Sequence, residues 1–191
     1  MVMNMSKSKM KNRWLCTTIA AVLCAGTLLT GCGSTVGEGV SLMKEKKYEE
    51  AKGKFEESIK AGDDLEAAYR GLGNCYYELG KYERAADAFE KALNEGTEPS
   101  AVLYNLVGIS QLKAQCPDKA LYYFTEGMKY EDVSGELRKE MAFNEIVCYE
   151  ELGEYHTAQD KLVAFIEQYP EDEAAKKEIE FLSTQLKPVK E

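Results

Sequence analysis

The sequence predicts an all-α fold, a solenoid of about four helical hairpins closed by a C-terminal capping helix. Three observations predict it. The chain of 191 residues is 45% hydrophobic and 30% charged with only four prolines, a composition that builds a core and permits uninterrupted helices. A pattern of small and aromatic residues returns after 34, then 35, then 38 positions, a period that belongs to stacked helical hairpins. Near the C-terminus, Ala175, Ile179, Leu182 and Leu186 recur at spacings of four, three and four, the single apolar stripe of one amphipathic helix.

The first element is an address. Residues 1–31 hold four basic residues (Lys7, Lys9, Lys11, Arg13) and no acidic ones, followed by an apolar run of 15 residues from Leu15 to Leu29. That run is shorter than the roughly 20 residues a membrane-spanning helix needs and suits a secretory signal. It ends in Leu28-Leu29-Thr30-Gly31-Cys32, which resembles a bacterial lipobox. The resemblance implies a signal peptide over 1–31, cleavage after Gly31 and lipidation of Cys32 by acyl (palmitate-type) chains. Residues 32–38 are then a short tether. Extended, the step from Cys32 to Val36 reaches about 14 Å, so the first repeat is expected close to the bilayer.

The repeats follow over 39–170, at about 36–65, 66–99, 101–134 and 139–170. The second is clearest: Tyr69, Leu72, Gly73, Tyr76, Gly80, Tyr82, Ala85, Phe89, Ala92 and Leu93 resemble the tetratricopeptide repeat at its positions 4, 7, 8, 11, 15, 17, 20, 24, 27 and 28. Thr97 stands where that family usually has Pro, and Pro99 marks one extra residue before the third repeat. The first repeat keeps Gly39, Leu42, Tyr48, Ala51, Phe55 and Ile59. The third keeps Tyr104, Gly108, Ala120, Phe124 and Met128, with Pro117 in the first turn of its second helix, where Pro is tolerated. The fourth keeps Ala142, Tyr149, Gly153, Tyr155, Ala158, Leu162, Phe165, Ile166 and Pro170, after an insertion expected as a surface turn at Glu131–Gly135. Small residues such as Gly73 and Ala85 allow close helix approach, while Tyr82 and Phe89 fill the space to the next hairpin. A lone hairpin cannot bury these groups, so the array needs neighbours and a cap. The cap is expected over 171–187, with acidic Glu171-Asp172-Glu173 at its start and Lys187-Pro188 ending it.

Charge and composition exclude several functions. Beyond residue 31 the chain carries 20 basic against 33 acidic residues, a net charge of −13, which repels nucleic-acid phosphates and anionic headgroups. One histidine, His156, expected on the surface, leaves little for metal binding or His-based catalysis. Cys75, Cys116 and Cys148 have no C-x-x-C spacing, so neither a zinc site nor a disulfide framework is expected, and Cys75 and Cys148 read as small buried groups. Gly71-x-Gly73 lies within a helix after no strand and reads as packing. The carboxylate clusters Glu49-Glu50, Asp63-Asp64 and Glu171–Glu173 read as solvated charge, not as acid–base pairs. No enzyme activity, cofactor or metal is expected.

What remains is an inner surface lined by the first helix of each hairpin. The resemblance places Met43, Arg70, Asn74, Tyr77, Asn105, Phe143, Asn144 and Val147 on it as candidate partner-binding residues. Arg70 and Asn74 resemble part of the carboxylate clamp that some tetratricopeptide proteins use for C-terminal peptides. Asn105 extends it, but Glu140 and Asn144 stand where the clamp wants basic residues. For Phe143 the alternative is packing beneath the Glu131–Gly135 insertion. The implied function is a lipid-anchored scaffold that binds a protein or peptide partner at the outer face of the cytoplasmic membrane. The alternative is a lipoprotein of envelope assembly, of the pilus or outer-membrane biogenesis type, residing in an outer membrane where the cell has one.

Overall fold

The computed structural model describes residues 34–96, 100–131 and 133–186. The signal segment 1–31, Cys32, Thr97, Pro99, Lys187 and Pro188 lie outside the described residues. Nine α-helices and no strand occur among those described: α1 (Thr35–Lys44), α2 (Tyr48–Ala61), α3 (Leu65–Glu78), α4 (Tyr82–Glu95), α5 (Ala101–Lys113), α6 (Pro117–Gly127), α7 (Gly135–Glu151), α8 (Tyr155–Gln168) and α9 (Glu173–Gln185). Successive helices pair into four antiparallel hairpins, and α9 packs on α8. The first helices also approach one another, α1 with α3 and α5 with α7, whereas the second helices of neighbouring hairpins make no comparable contact. The first helices therefore form the inner side of the array.

Local chemistry explains the hairpins. Each turns at an equivalent residue with a left-handed backbone: Lys46 (φ 60°), Gly80 (φ 71°), Gln115 (φ 62°) and Gly153 (φ 78°). Glycine adopts this region freely, whereas Lys46 and Gln115 each sustain a strain of about 1 kcal/mol. Within the hairpin, glycine on the first helix meets phenylalanine on the second. A Cβ on Gly39 would lie 2.8 Å from the Phe55 ring, on Gly73 2.6 Å from Phe89, and on Gly108 2.6 Å from Phe124. In the fourth hairpin Ile146 and Leu162 take these two places, sharing the volume more evenly, and both are buried. Between hairpins, Met43, Ala51 and Phe55 pack against Leu72, Cys75 and Ala88. Phe89 and Ala86 pack in the same way against Leu106 and Val107.

The third hairpin departs from its neighbours. Helix α6 has 11 residues where α2, α4 and α8 each have 14, and α7 has 17. The insertion is therefore not only a surface turn. Its length goes largely into an extra N-terminal turn of α7, opened by Ser134, whose hydroxyl accepts from the Leu137 N–H at 3.2 Å. Arg138 in that turn donates to the Met128 carbonyl at 2.7 Å and the Tyr130 carbonyl at 3.0 Å, satisfying groups that the shortened α6 leaves open.

The cap is held at both ends. Asp172 accepts from the Ala174 and Ala175 N–H groups, each at 3.0 Å, and its other oxygen pairs with Lys139 of α7 at 2.8 Å. Ala175 and Leu182 are fully buried against Leu162, Phe165 and Ile146, with Ile179 beside them. One carboxylate goes down with this interface. Glu150 Oε1 is buried without a hydrogen-bond partner. Burial first, then the charges of Glu178 on α9 and Glu151 beside it, push the Glu150 carboxyl up to about 8, and burial also raises Glu178. Between pH 4.5 and about 8 the folded chain thus holds a proton that the unfolded chain has released, and stability falls as pH rises through that window. Glu150→Gln should flatten the decline and raise stability at pH 8 by roughly 1–3 kcal/mol. Urea midpoints at pH 5 and pH 8 for both proteins check this; equal slopes with pH would contradict it.

Candidate partner-binding groove

Helix α3 is central to the inner surface. Arg70, Asn74 and Tyr77 stand at spacings of four and three and so share one face. Arg70 is well exposed, and its guanidinium lies 3.9 Å from Glu66 one turn earlier, a loose pairing of small energetic consequence. Asn74 is half-buried. Tyr77 packs edge-to-face on Tyr82 at 5.2 Å, which fixes its ring at the turn of its own hairpin. A cation, an amide and a held aromatic ring are thus presented in one row.

The remaining expected residues are placed differently. Met43, Asn105 and Asn144 are only 6%, 4% and 8% exposed. Met43 is a core residue between the first two hairpins, packed with Phe55 and Leu72, because position and apolar length suit it to that gap. Asn105 does not project as a ligand-binding amide: its Nδ2 donates to Glu140 Oε1 at 3.2 Å, and its Oδ1 is buried without a hydrogen bond. The acid at position 140, where a clamp would have a base, therefore draws the Asn105 amide toward α7. Phe143 stacks edge-to-face on Phe165 of its own hairpin at 5.4 Å. Val147, one turn further along α7, is half-buried. The structure thus gathers Arg70, Asn74 and Tyr77 on α3 and joins α5 to α7 through Asn105 and Glu140.

Two expectations outside the groove are also placed. Cys75 and Cys148 are buried free thiols, each pushed up to about 12 by burial, and Cys116 is a half-buried free thiol. His156 is exposed. Among the described residues no group of three His, Cys, Asp or Glu side chains could hold a metal ion, and no helix is long and apolar enough to cross a membrane. Sequence reasoning missed the Glu150–Glu178 proximity and the Asn105–Glu140 tie. Their only signal is polar residues on helix faces whose equivalents elsewhere are apolar or solvated.

Hairpins joined at a left-handed turn, with Gly set against Phe inside and stacked along an inner row of first helices, define a helical-repeat interaction protein. Comparison gives the family. The tetratricopeptide repeat model matches residues 36–101, and a second tetratricopeptide repeat model matches residues 143–172. The chain belongs to the tetratricopeptide repeat family. A curated relative, TPR repeat-containing protein YsoA of Bacillus subtilis (strain 168), is 43% identical over 61 residues, which are 32% of this chain and only 18% of the relative. Among solved structures, YrrB, described as a TPR protein with an unusual peptide-binding site, superposes with a TM-score of 0.66 at 25% identity, covering 78% of this chain and 75% of its own. MamA superposes at 0.68 with 17% identity over 80% of this chain and 83% of MamA. A tetratricopeptide repeat protein from Parabacteroides merdae superposes at 0.65 with 16% identity, covering 80% of this chain and 57% of that one.

Proposed function

We propose that this tetratricopeptide repeat protein is a lipid-anchored scaffold that binds a peptide or protein segment on its inner surface. The observation that carries the reading is the row Arg70, Asn74, Tyr77 on α3. These side chains are at least partly exposed, and they combine a charge, a two-way hydrogen-bonding amide and an aromatic anchor, the residue types that recognise extended chains. The family supplies an interaction scaffold, and YrrB is described as having a peptide-binding site. The buried Asn105 and the acidic Glu140 weigh against a full carboxylate clamp, so the proposed ligand is an internal segment rather than a free C-terminus.

Anchoring through Cys32 rests on the basic stretch, the apolar run and the Leu-Thr-Gly-Cys box. Helix α1 begins at Thr35, capped by Ser34, whose hydroxyl accepts from the Gly37 N–H at 3.0 Å. Three residue steps from Cys32 to Thr35 span at most about 10 Å, so the first hairpin would sit at the membrane surface. Cys32→Ala is expected to move the protein from the membrane fraction to the soluble or secreted fraction; retention with membranes would contradict the anchor. A partner retained by the wild type and lost by Arg70→Glu/Asn74→Ala, with an unchanged melting curve, is the expected result for the groove. Equal retention by both would exclude it. Service in envelope assembly is the alternative process for the same groove.

A further inference from the structure

The charge of the chain is divided unevenly along it. Residues 32–61, the first hairpin and the step before it, carry six basic and six acidic residues. Residues 62–191 carry 14 basic and 27 acidic residues, so the net charge of −13 lies wholly beyond the first hairpin. An anionic membrane surface repels that remainder and leaves the first hairpin as the part free to approach it.

Helix α1 has the surface for such an approach. It packs on α2 and α3, and the residues it buries are Gly39 and Met43. Val40 is 38% exposed, and Val36, one turn earlier on the same face, is half-buried. The polar groups around these valines are satisfied within the hairpin. The Ser41 hydroxyl donates to the Gly37 carbonyl at 3.0 Å, and the Ser34 hydroxyl accepts from the Gly37 N–H at 3.0 Å. Glu38, the one carboxylate of α1, is neutralised by Lys54 of α2 at 2.7 Å. Lys44, exposed in the last turn, adds a cation. The open side of α1 therefore offers apolar side chains and a positive charge, and its single acid already has a partner. The other first helices that reach the surface expose acids, Glu78 on α3 and Glu136 and Glu151 on α7.

We infer that α1 lies on the bilayer with its Val36–Val40 face against the lipid surface, an inference that rests on the anchor proposed at Cys32. Cys32 stands four residues before Val36, at most about 14 Å of extended chain. So short a tether holds α1 at high effective concentration against the membrane, and a contact too weak to bind by itself then suffices to fix orientation. Val36 and Val40 hold the repeat positions that Arg70 and Asn74 hold 34 residues later. The row on α3 thus opens beside the lipid surface. The segment it receives is one that lies there, the stretch of a membrane protein just outside its span.

The full mature chain, purified from membranes and reconstituted in vesicles of phosphatidylcholine and phosphatidylglycerol, is illuminated with a diazirine-bearing phospholipid in the bilayer. Mass spectrometry should place lipid adducts on residues 35–44 at least tenfold above those on α2 and α8. Helix α2 belongs to the same hairpin and controls for nearness to the tether, and α8 carries Val163, 46% exposed and as open to labelling as Val40. Val40→Glu should lower the α1 adducts at least fivefold while the chain stays acylated and sediments with the vesicles. Val163→Glu should leave them unchanged. Adducts spread evenly over the exposed helices, or concentrated outside α1, would overturn the docking even if a variant fails to fold. So would undiminished α1 labelling in folded Val40→Glu. An N-terminal peptide without acyl chains, read in the same spectra, would remove the anchor and the docking with it, whereas misplaced labels on an acylated chain would remove the docking alone.

Discussion

Removing residues 171–191 should lower the melting temperature by about 10 °C and leave a protein that aggregates. Helix α9 buries Ala175 and Leu182 fully, and Ile179 in part, on the face made by Ile146, Leu162 and Phe165. Re-exposing that apolar surface costs roughly 4 kcal/mol at the usual value per buried side chain. For a chain of this size each kcal/mol moves the midpoint by about 2–4 °C. The deletion also removes Asp172, leaving Lys139 without its partner. Differential scanning calorimetry of the two proteins checks the expectation. An unchanged midpoint would mean that α9 is an appendage and that the fourth hairpin closes the array by itself.

Gly71→Leu should destabilise the chain by roughly 1–3 kcal/mol, the ordinary cost of forcing extra carbons into a filled core. Helix propensity alone would favour leucine here by up to about 1 kcal/mol, so the sign of the result identifies the cause. The cause is Phe55. A Cβ on Gly71 would lie 2.3 Å from its ring, closer than at any other described glycine, and a Cβ on Gly39 would meet the same ring at 2.8 Å. Phe55 has no exposed surface into which to retreat. In a Phe55→Ala background the same substitution should cost much less, because leucine then fills the space the ring has left. Additive losses in the double variant, measured by urea titration, would show that the two side chains do not share one site.

These two residues also show what was legible in the sequence. Gly73 and Phe89 announce themselves because their spacing returns at Gly39 and Phe55 and again at Gly108 and Phe124. Periodicity of that kind reports contacts inside one hairpin, where sequence distance fixes spatial distance, and it conveyed the all-α class and the capping stripe. Contacts between hairpins depend on how far each is rotated on the last. Gly71 meets Phe55 across such a boundary, whereas in the sequence Gly71-x-Gly73 reads only as helix packing, with nothing to say against which side chain. The extra turn of α7 was hidden for a related reason: an insertion can lengthen a loop or a helix, and only the Ser134 cap and the Arg138 carbonyl contacts decide which. The groove was legible as a row on α3. Its continuation through Asn105 was not, because an asparagine shows its hydrogen-bond partner only once the facing helix brings Glu140 to 3.2 Å. Glu150 likewise reads as one more acidic residue until α9 covers it.

The central claim, a partner held on the inner surface, is tested most directly by site-specific photo-cross-linking in the native cell. A photoreactive residue is placed at Asn74 on α3, and in a separate protein at Tyr122, which is 57% exposed on the second helix of the third hairpin. The account predicts one dominant adduct from position 74, abolished by Arg70→Glu, and none of that mass from position 122. Adducts from position 122 alone, or an adduct at 74 indifferent to Arg70→Glu, would contradict it and move binding to the outer helices.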